Sequence, residues 1–186
     1  MTTAIAPVQG LLAGTWTIDP SHSEASFTVR HLMVSKVRGT FRTFRGQITV
    51  DENLAASSVT AEIDMDSVDT RDQNRDNHLR TKDFFEVEQY PTMTYRSTAV
   101  RGDGADYVVD GELTLRGVTR PVALALELGG IGSDPWGGTR AGFSASTTIN
   151  RNDFGVDIKM PLDGGGVVVG EKITIQLEVE AVLDQS

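Results

Sequence analysis

Along most of the chain apolar and polar residues alternate one for one, the pattern of strands that bury one face and wet the other. In ASFTVRHL, Ala25, Phe27, Val29 and His31 share a face, against Ser26, Thr28 and Arg30. SSVTAEIDM puts Val59, Ala61, Ile63 and Met65 together, and YVVDGELTL does the same for Tyr107, Val109, Leu113 and Leu115. PVALALEL aligns Val122, Leu124, Leu126 and Leu128; AGFSASTTI aligns Phe143, Ala145, Thr147 and Ile149. The cleanest run is KITIQLEVEAV, where Ile173, Ile175, Leu177, Val179 and Ala181 face in and Thr174, Gln176, Glu178 and Glu180 face water. With GTFRTFRGQITV, TMTYRSTAV and an opening segment around Trp16 and Ile18, the count is about eight or nine strands.

Strands with one wet face pair antiparallel, because parallel sheets are covered on both sides. The connections Asp51–Ala56, Arg101–Ala105 and Arg116–Arg120 have hairpin length and turn residues. Residues 70–88 interrupt the strands with a polar helical segment, for which Thr70 and Gln73 form a candidate capping box. Two glycine-rich stretches, Gly129–Gly138 and Asp163–Gly170, read as loops, with Gly164-Gly165-Gly166 suited to a mobile loop at a barrel mouth. Residues 1–13 are expected to be a poorly ordered extension and 14–186 a single domain.

Such strands either stack as a sandwich or close as a barrel. Several inward positions are small (Ala25, Ala61, Gly111, Ala145), and only 6% of residues are aromatic. An eight-stranded barrel with an unfilled interior holds one small ligand. Strands of about 9–11 residues would make it roughly 30 Å tall. A filled sandwich is the alternative that the pattern alone leaves open.

Charge and composition narrow the function. The 186 residues carry 26 acidic against 17 basic side chains, net −9, which argues against a nucleic-acid binder. No apolar run is long enough for a membrane helix. There is no cysteine, hence no disulfide or thiolate chemistry. MTTAIAPVQGLLAG has no Lys or Arg and is broken at Pro7, unlike a signal peptide, so the chain is expected in the cytoplasm. His22 follows Asp19-Pro20-Ser21 and reads as a turn residue; His31, on an apolar face, is a core histidine or a contact for a ligand's polar end. No two histidines fall near one another and H-E-x-x-H is absent, so no metal is expected. G-x-S-x-G and the P-loop pattern are also missing. Gly14-Thr15-Trp16 has the form of the G-x-W that opens lipocalins. These residues describe a binding module with no catalytic set. An enzyme acting on a prenyl substrate would need inward acid/base groups, for which only His31 qualifies. A purely structural domain would have a filled core.

More specific runs follow. WTIDPSHSEASFTVRHLMVSKVRGTF resembles the opening of the YceI-like family, with D-P-x-H-S, F-x-V-x-H and V-x-G-x-F elements. RDNHLRTKDFFEVEQYPTMTY is similar to its R-D-x-H-L-R-x-x-D-F-F…Y-P motif, GELTLRGVTRPVAL to its G-x-L-T-x-R-G-V-T-x-P-V hairpin, and INRNDFGV to R-x-D-F-G. The resemblance runs from Trp16 to Leu183 in order. It implies an all-β fold, an extended eight-stranded antiparallel barrel of lipocalin-like shape with a short helical segment around residues 70–88. It also implies a polyisoprenoid lipid or isoprenoid quinone bound along the axis, with no other cofactor, and it leaves a homodimer open. Under this reading Phe27, Val29, His31, Phe41, Ile63, Met65, Tyr95, Leu113, Leu124, Leu126, Phe143, Ile175 and Leu177 line the tunnel. Arg75, His78 and Arg80 are candidates for the head group or the entrance, since arginine can grip phosphate oxygens in a bidentate manner. Asp72, Asp76 and Asp83 lie close enough in sequence to pair with them instead. Phe84 and Phe85 would pack the helical segment onto the barrel.

Overall fold

In the computed structural model the strands close into a ring in chain order. The structure describes residues 3–159 and 168–185; the glycines at 164–166 lie outside them. Eight strand positions form the ring, and each of the first three is broken once: β1 (Gly14–Ile18) and β2 (Glu24–His31), β3 (Ser35–Phe41) and β4 (Phe44–Val50), β5 (Ser58–Asp64) and β6 (Val68–Asp69). Five continuous strands follow: β7 (Thr92–Asp103), β8 (Asp106–Leu115), β9 (Val118–Ser133), β10 (Thr139–Asn150) and β11 (Val169–Leu183). All neighbours pair antiparallel, and β11 closes the ring against β1 (Trp16 opposite Leu183) and β2 (Phe27 opposite Ile175). A closed eight-stranded antiparallel barrel is therefore the fold. Its outer face carries the charge, as with Glu178 and Glu180 on β11, the reverse of a membrane-spanning barrel. Among the described residues no helix is long and apolar enough to cross a membrane.

The breaks have local causes. Pro20 has no N–H for the ladder, and the Asp19 carboxylate takes the Ser21 N–H at 3.0 Å to start a short 3-10 turn. A second such turn, Met65–Ser67, separates β5 from β6. Because β6 pairs with β3 alone, the wall between β6 and β7 is completed by residues 70–91 instead of a ladder.

That segment differs from its sequence reading. Only Gln73–Leu79 is α-helix (α1), and its cap is Asp72, which accepts the Arg75 N–H at 3.0 Å. Thr70 is engaged elsewhere: its N–H and hydroxyl both donate to buried Asp76. Beyond Arg80 the chain runs in turns. The stretch 129–138, read as a loop, is strand as far as Ser133. Gly129 lies at the bulge between Ala141 and Phe143, where a side chain would crowd the Gly142 carbonyl. Residues 3–13 form no helix or strand, yet they pack down rather than trail away. Ile5 and Leu11 are buried, and Ile5 exchanges backbone and side-chain hydrogen bonds with the 51–57 loop (Leu54 N–H to Ile5 carbonyl 3.1 Å, Ile5 N–H to Asn53 2.9 Å). Their apolar side chains cap a barrel end that would otherwise be open to water.

Two hairpin connections have two successive residues at positive φ, a geometry that matches strand twist: the two-residue β8–β9 turn, and the first two residues of the three-residue β2–β3 loop Leu32–Val34. Arg116-Gly117 (52° and 74°) supplies the glycine such turns favour; Leu32-Met33 (54° and 59°) does not. Left-handed backbone disfavours each non-glycine residue by about 1–2 kcal/mol.

On the outer surface Arg140 gathers three carboxylates: Asp19 at 2.9 Å, Asp134 at 2.8 Å and Glu180 at 2.7 Å. The ligand atoms of Asp19, His22 and Glu180 also lie within 4.8 Å of one another, but the guanidinium already stands where a cation would. Hydrogen bonds from Ser21, Arg140 and His22 hold the Asp19 carboxyl well below its ordinary range, and hydrogen bonds led by Arg140 lower that of Asp134. A carboxyl depressed in the folded state stabilises at neutral pH and ceases to as pH falls from the unfolded value near 3.8 through the folded one. Wild-type stability should therefore drop more steeply than that of Arg140→Gln below about pH 5, measured by urea unfolding across pH. Parallel pH dependences would show that the cluster contributes nothing to acid stability.

Candidate functional site

The inward side chains of all eight strand positions enclose a cavity of about 290 Å³. On β11 the lining runs from Val169 to Val179, roughly 33 Å along the strand at about 3.3 Å per residue and less along the axis, to which barrel strands are tilted. The core is therefore hollow along the axis, which distinguishes it from a filled sandwich. The wall is almost wholly apolar because alternation sends every second residue inward.

Of the side chains expected to line the tunnel, Phe27, Val29, Phe41, Ile63, Met65, Tyr95, Leu113, Leu124, Leu126, Phe143, Ile175 and Leu177 do so. His31 does not. It lies one step outside, in a smaller cavity of about 190 Å³. The same alternation also places Val59, Val109, Val122 and Ile173 in the wall. Residues off the strands were not legible in that way: Leu11 and Leu54 at one end, and Leu79, Phe84, Phe85, Arg151 and Val156 at the other. For Leu79, Phe84 and Phe85 a signal existed, since they are apolar residues in a polar stretch.

One end of the cavity is sealed by packing. Trp16 is fully buried there among Leu11, Val50, Leu54 and Leu128, and its indole N–H donates to the Leu12 carbonyl at 3.0 Å. Tyr95, inside the wall, donates its hydroxyl to the carbonyls of Val122 (2.9 Å) and Val109 (3.2 Å). Burial first, with Asp110 second, pushes its phenol up to about 12, so it stays neutral. Gly111 makes room for this ring; a Cβ there would meet the phenol oxygen at 2.4 Å.

The other end is built by arginines that bind backbone carbonyls. Arg151 is buried, and its guanidinium donates to Gly170 (2.9 Å), Val156 (2.6 Å) and Val169 (3.1 Å). Burial lowers its pKa, while Glu171 and Asp157 oppose the shift. Arg116, at the β8–β9 turn, bonds the carbonyls of Gly155 and Lys82, so that turn, the 151–155 turn and the segment after α1 are held together. Arg80 donates to the carbonyls of Asp66 and Val68 and lines neither cavity. Its place is at the β5–β6 break.

Arg75 and His78 do meet His31. All three line the smaller cavity, together with Arg30, Val37 and Thr70. Arg75 is tied to Thr70 through its hydroxyl and carbonyl, both at 2.7 Å. His78 pairs with Asp83 at 3.0 Å and stands edge-on to Phe84. Five residues, Phe27, Val29, Leu79, Phe84 and Val169, belong to both cavities. The small chamber, mostly apolar in its lining but bordered by Arg30, His31, Thr70, Arg75 and His78, thus adjoins the long apolar one along these shared residues.

Comparison with known proteins agrees with this architecture. The family model described as YceI-like domain matches residues 16–181. Protein YceI of Escherichia coli is 47% identical over 136 residues, 73% of this chain and 71% of that protein. The crystal structure of the Campylobacter jejuni YceI protein superposes with a TM-score of 0.72 at 31% identity, covering 84% of this chain and 90% of the other. A polyisoprenoid binding domain from Saccharophagus degradans gives 0.69 at 16% identity, over 93% of this chain and all (100%) of that one.

Proposed function

The chain belongs to the YceI-like family, and we propose that its barrel binds an isoprenoid lipid, a polyprenyl or isoprenoid quinone chain, with the hydrocarbon along the axis. The observation that carries this reading is the hollow apolar interior, sealed at the Trp16 end. A volume of about 290 Å³ stands at the small end for small-molecule sites, roughly 300–1,000 Å³, and suits one slender chain. Burial at about 0.8 kcal/mol per CH₂ gives a prenyl tail ample driving force before ordering costs. The polyisoprenoid binding domain of Saccharophagus degradans has the same fold, which supports the ligand class.

The polar end of the ligand belongs in the small chamber, beside His31, Arg75 and His78. Lipid-free protein should take up a long prenyl alcohol saturably; failure to do so contradicts the reading. His78→Ala should weaken the matching prenyl diphosphate about tenfold more than the alcohol, the worth of one charge-assisted hydrogen bond. Equal weakening of both would place the head group elsewhere.

A further inference from the structure

We propose that the tip of the β2–β3 hairpin, Leu32-Met33-Val34, docks on an anionic lipid surface and brings the small chamber against it. The tip presents three consecutive large apolar side chains to water, exposed by 40%, 52% and 83%. Turn chemistry does not require them: the first two positions are left-handed, where Asn-Gly would be relaxed, and the sequence places Leu and Met there instead. At the opposite end of the barrel Leu12 and Trp136 are also exposed, but they stand apart in sequence, and Trp136 lies against the Arg140 guanidinium.

Charge identifies what the tip meets. The molecule is acidic overall, net −9, yet the strands behind the tip carry Arg30 directly opposite Lys36, both exposed on the outward-alternating face, with Arg30 also at the edge of the small chamber. Like charges in direct cross-strand register repel. Among the described residues neither has a salt-bridge partner, whereas Arg38, two residues further along, is paired with Glu24 at 3.1 Å. An apolar tip backed by two adjacent cations matches a bilayer with anionic head groups, which takes up the one and neutralises the other.

Position then connects docking to the cavity. His31 and Val37, the inward residues flanking the tip, line the small chamber, and the adjoining Val29 and Phe27 belong also to the long one. A prenyl chain leaving the bilayer would pass from acyl chains to the barrel without crossing water. This purpose rests on the proposed lipid-binding function; the docking itself is measured separately.

Flotation of the full chain with vesicles tests it. Wild type should float with phosphatidylcholine vesicles containing phosphatidylglycerol at low salt, be released by high salt, and float weakly with phosphatidylcholine alone. The variant Leu32→Asn/Met33→Gly/Val34→Thr suits the turn and should melt no lower than wild type, yet bind at least about tenfold less. Arg30→Gln/Lys36→Gln should lower low-salt binding roughly 20–30-fold. Absence of wild-type flotation, or equal flotation of the tip variant, overturns the proposal. So does a tip-dependent dimer that leaves vesicles untouched, which would make the tip a contact between copies. Organic extraction of the same samples separates the two ideas. Lipid-loaded protein that does not float defeats docking alone, and floating protein that neither carries nor takes up prenyl lipid defeats the lipid-binding reading alone.

Discussion

Leu126→Asp should empty the barrel. Leu126 stands in the wall of the long cavity on β9, opposite Tyr107 on β8 and Ala145 on β10. A carboxylate there faces apolar side chains and has no hydrogen-bond donor of its own, a loss of several kcal/mol unless water or a proton enters. Retained lipid should fall to background, or the protein should lose its cooperative unfolding. The paired variant Ala125→Asp changes the neighbouring, exposed residue of the same strand and should keep both fold and lipid. Full lipid in a folded Leu126→Asp protein would mean that the lipid does not occupy this cavity.

Arg151→Met should be the most damaging change outside the cavity's strand walls, destabilising by about 2–4 kcal/mol in urea unfolding. Three carbonyls, those of Val156, Val169 and Gly170, lose their donor at once. Removal of a buried cation offsets part of that loss, since burial already disfavours its charge. Arg151→Lys should recover little, because an ammonium lacks the planar fork that reaches three acceptors in fixed directions. A loss below about 1 kcal/mol for Arg151→Met would show that these carbonyls find water or each other.

These arginines also mark the limit of what could be read from sequence. The strands were legible because a closed antiparallel barrel imposes one simple rule, every second residue inward, and such alternation needs no knowledge of partners. The runs 122–128 and 173–179 obey it throughout. Arg116 and Arg151 act on carbonyls of Gly155 and Gly170, remote in sequence and without side chains to advertise the contact. Nothing local distinguishes such an arginine from a solvated one. His31 shows the same limit from the other side: alternation places it inward correctly, but it borders the small chamber beside residues 70–91, which replace a strand, and not the long cavity that its partner Val169 lines. The partners of Arg80 lie across the β5–β6 break, which no pattern announces. Residues 1–13 read as a poorly ordered extension because isolated apolar residues such as Ile5 and Leu11 carry no period; of these, 3–13 are described and bury both side chains.

The most direct test of the account is mass spectrometry of an organic extract from protein purified without detergent or denaturant. The account predicts an isoprenoid lipid in near-stoichiometric amount, lost in Leu126→Asp and kept in Ala125→Asp. An extract free of isoprenoid, from protein that also fails to take up a prenyl alcohol when lipid-free, would contradict it.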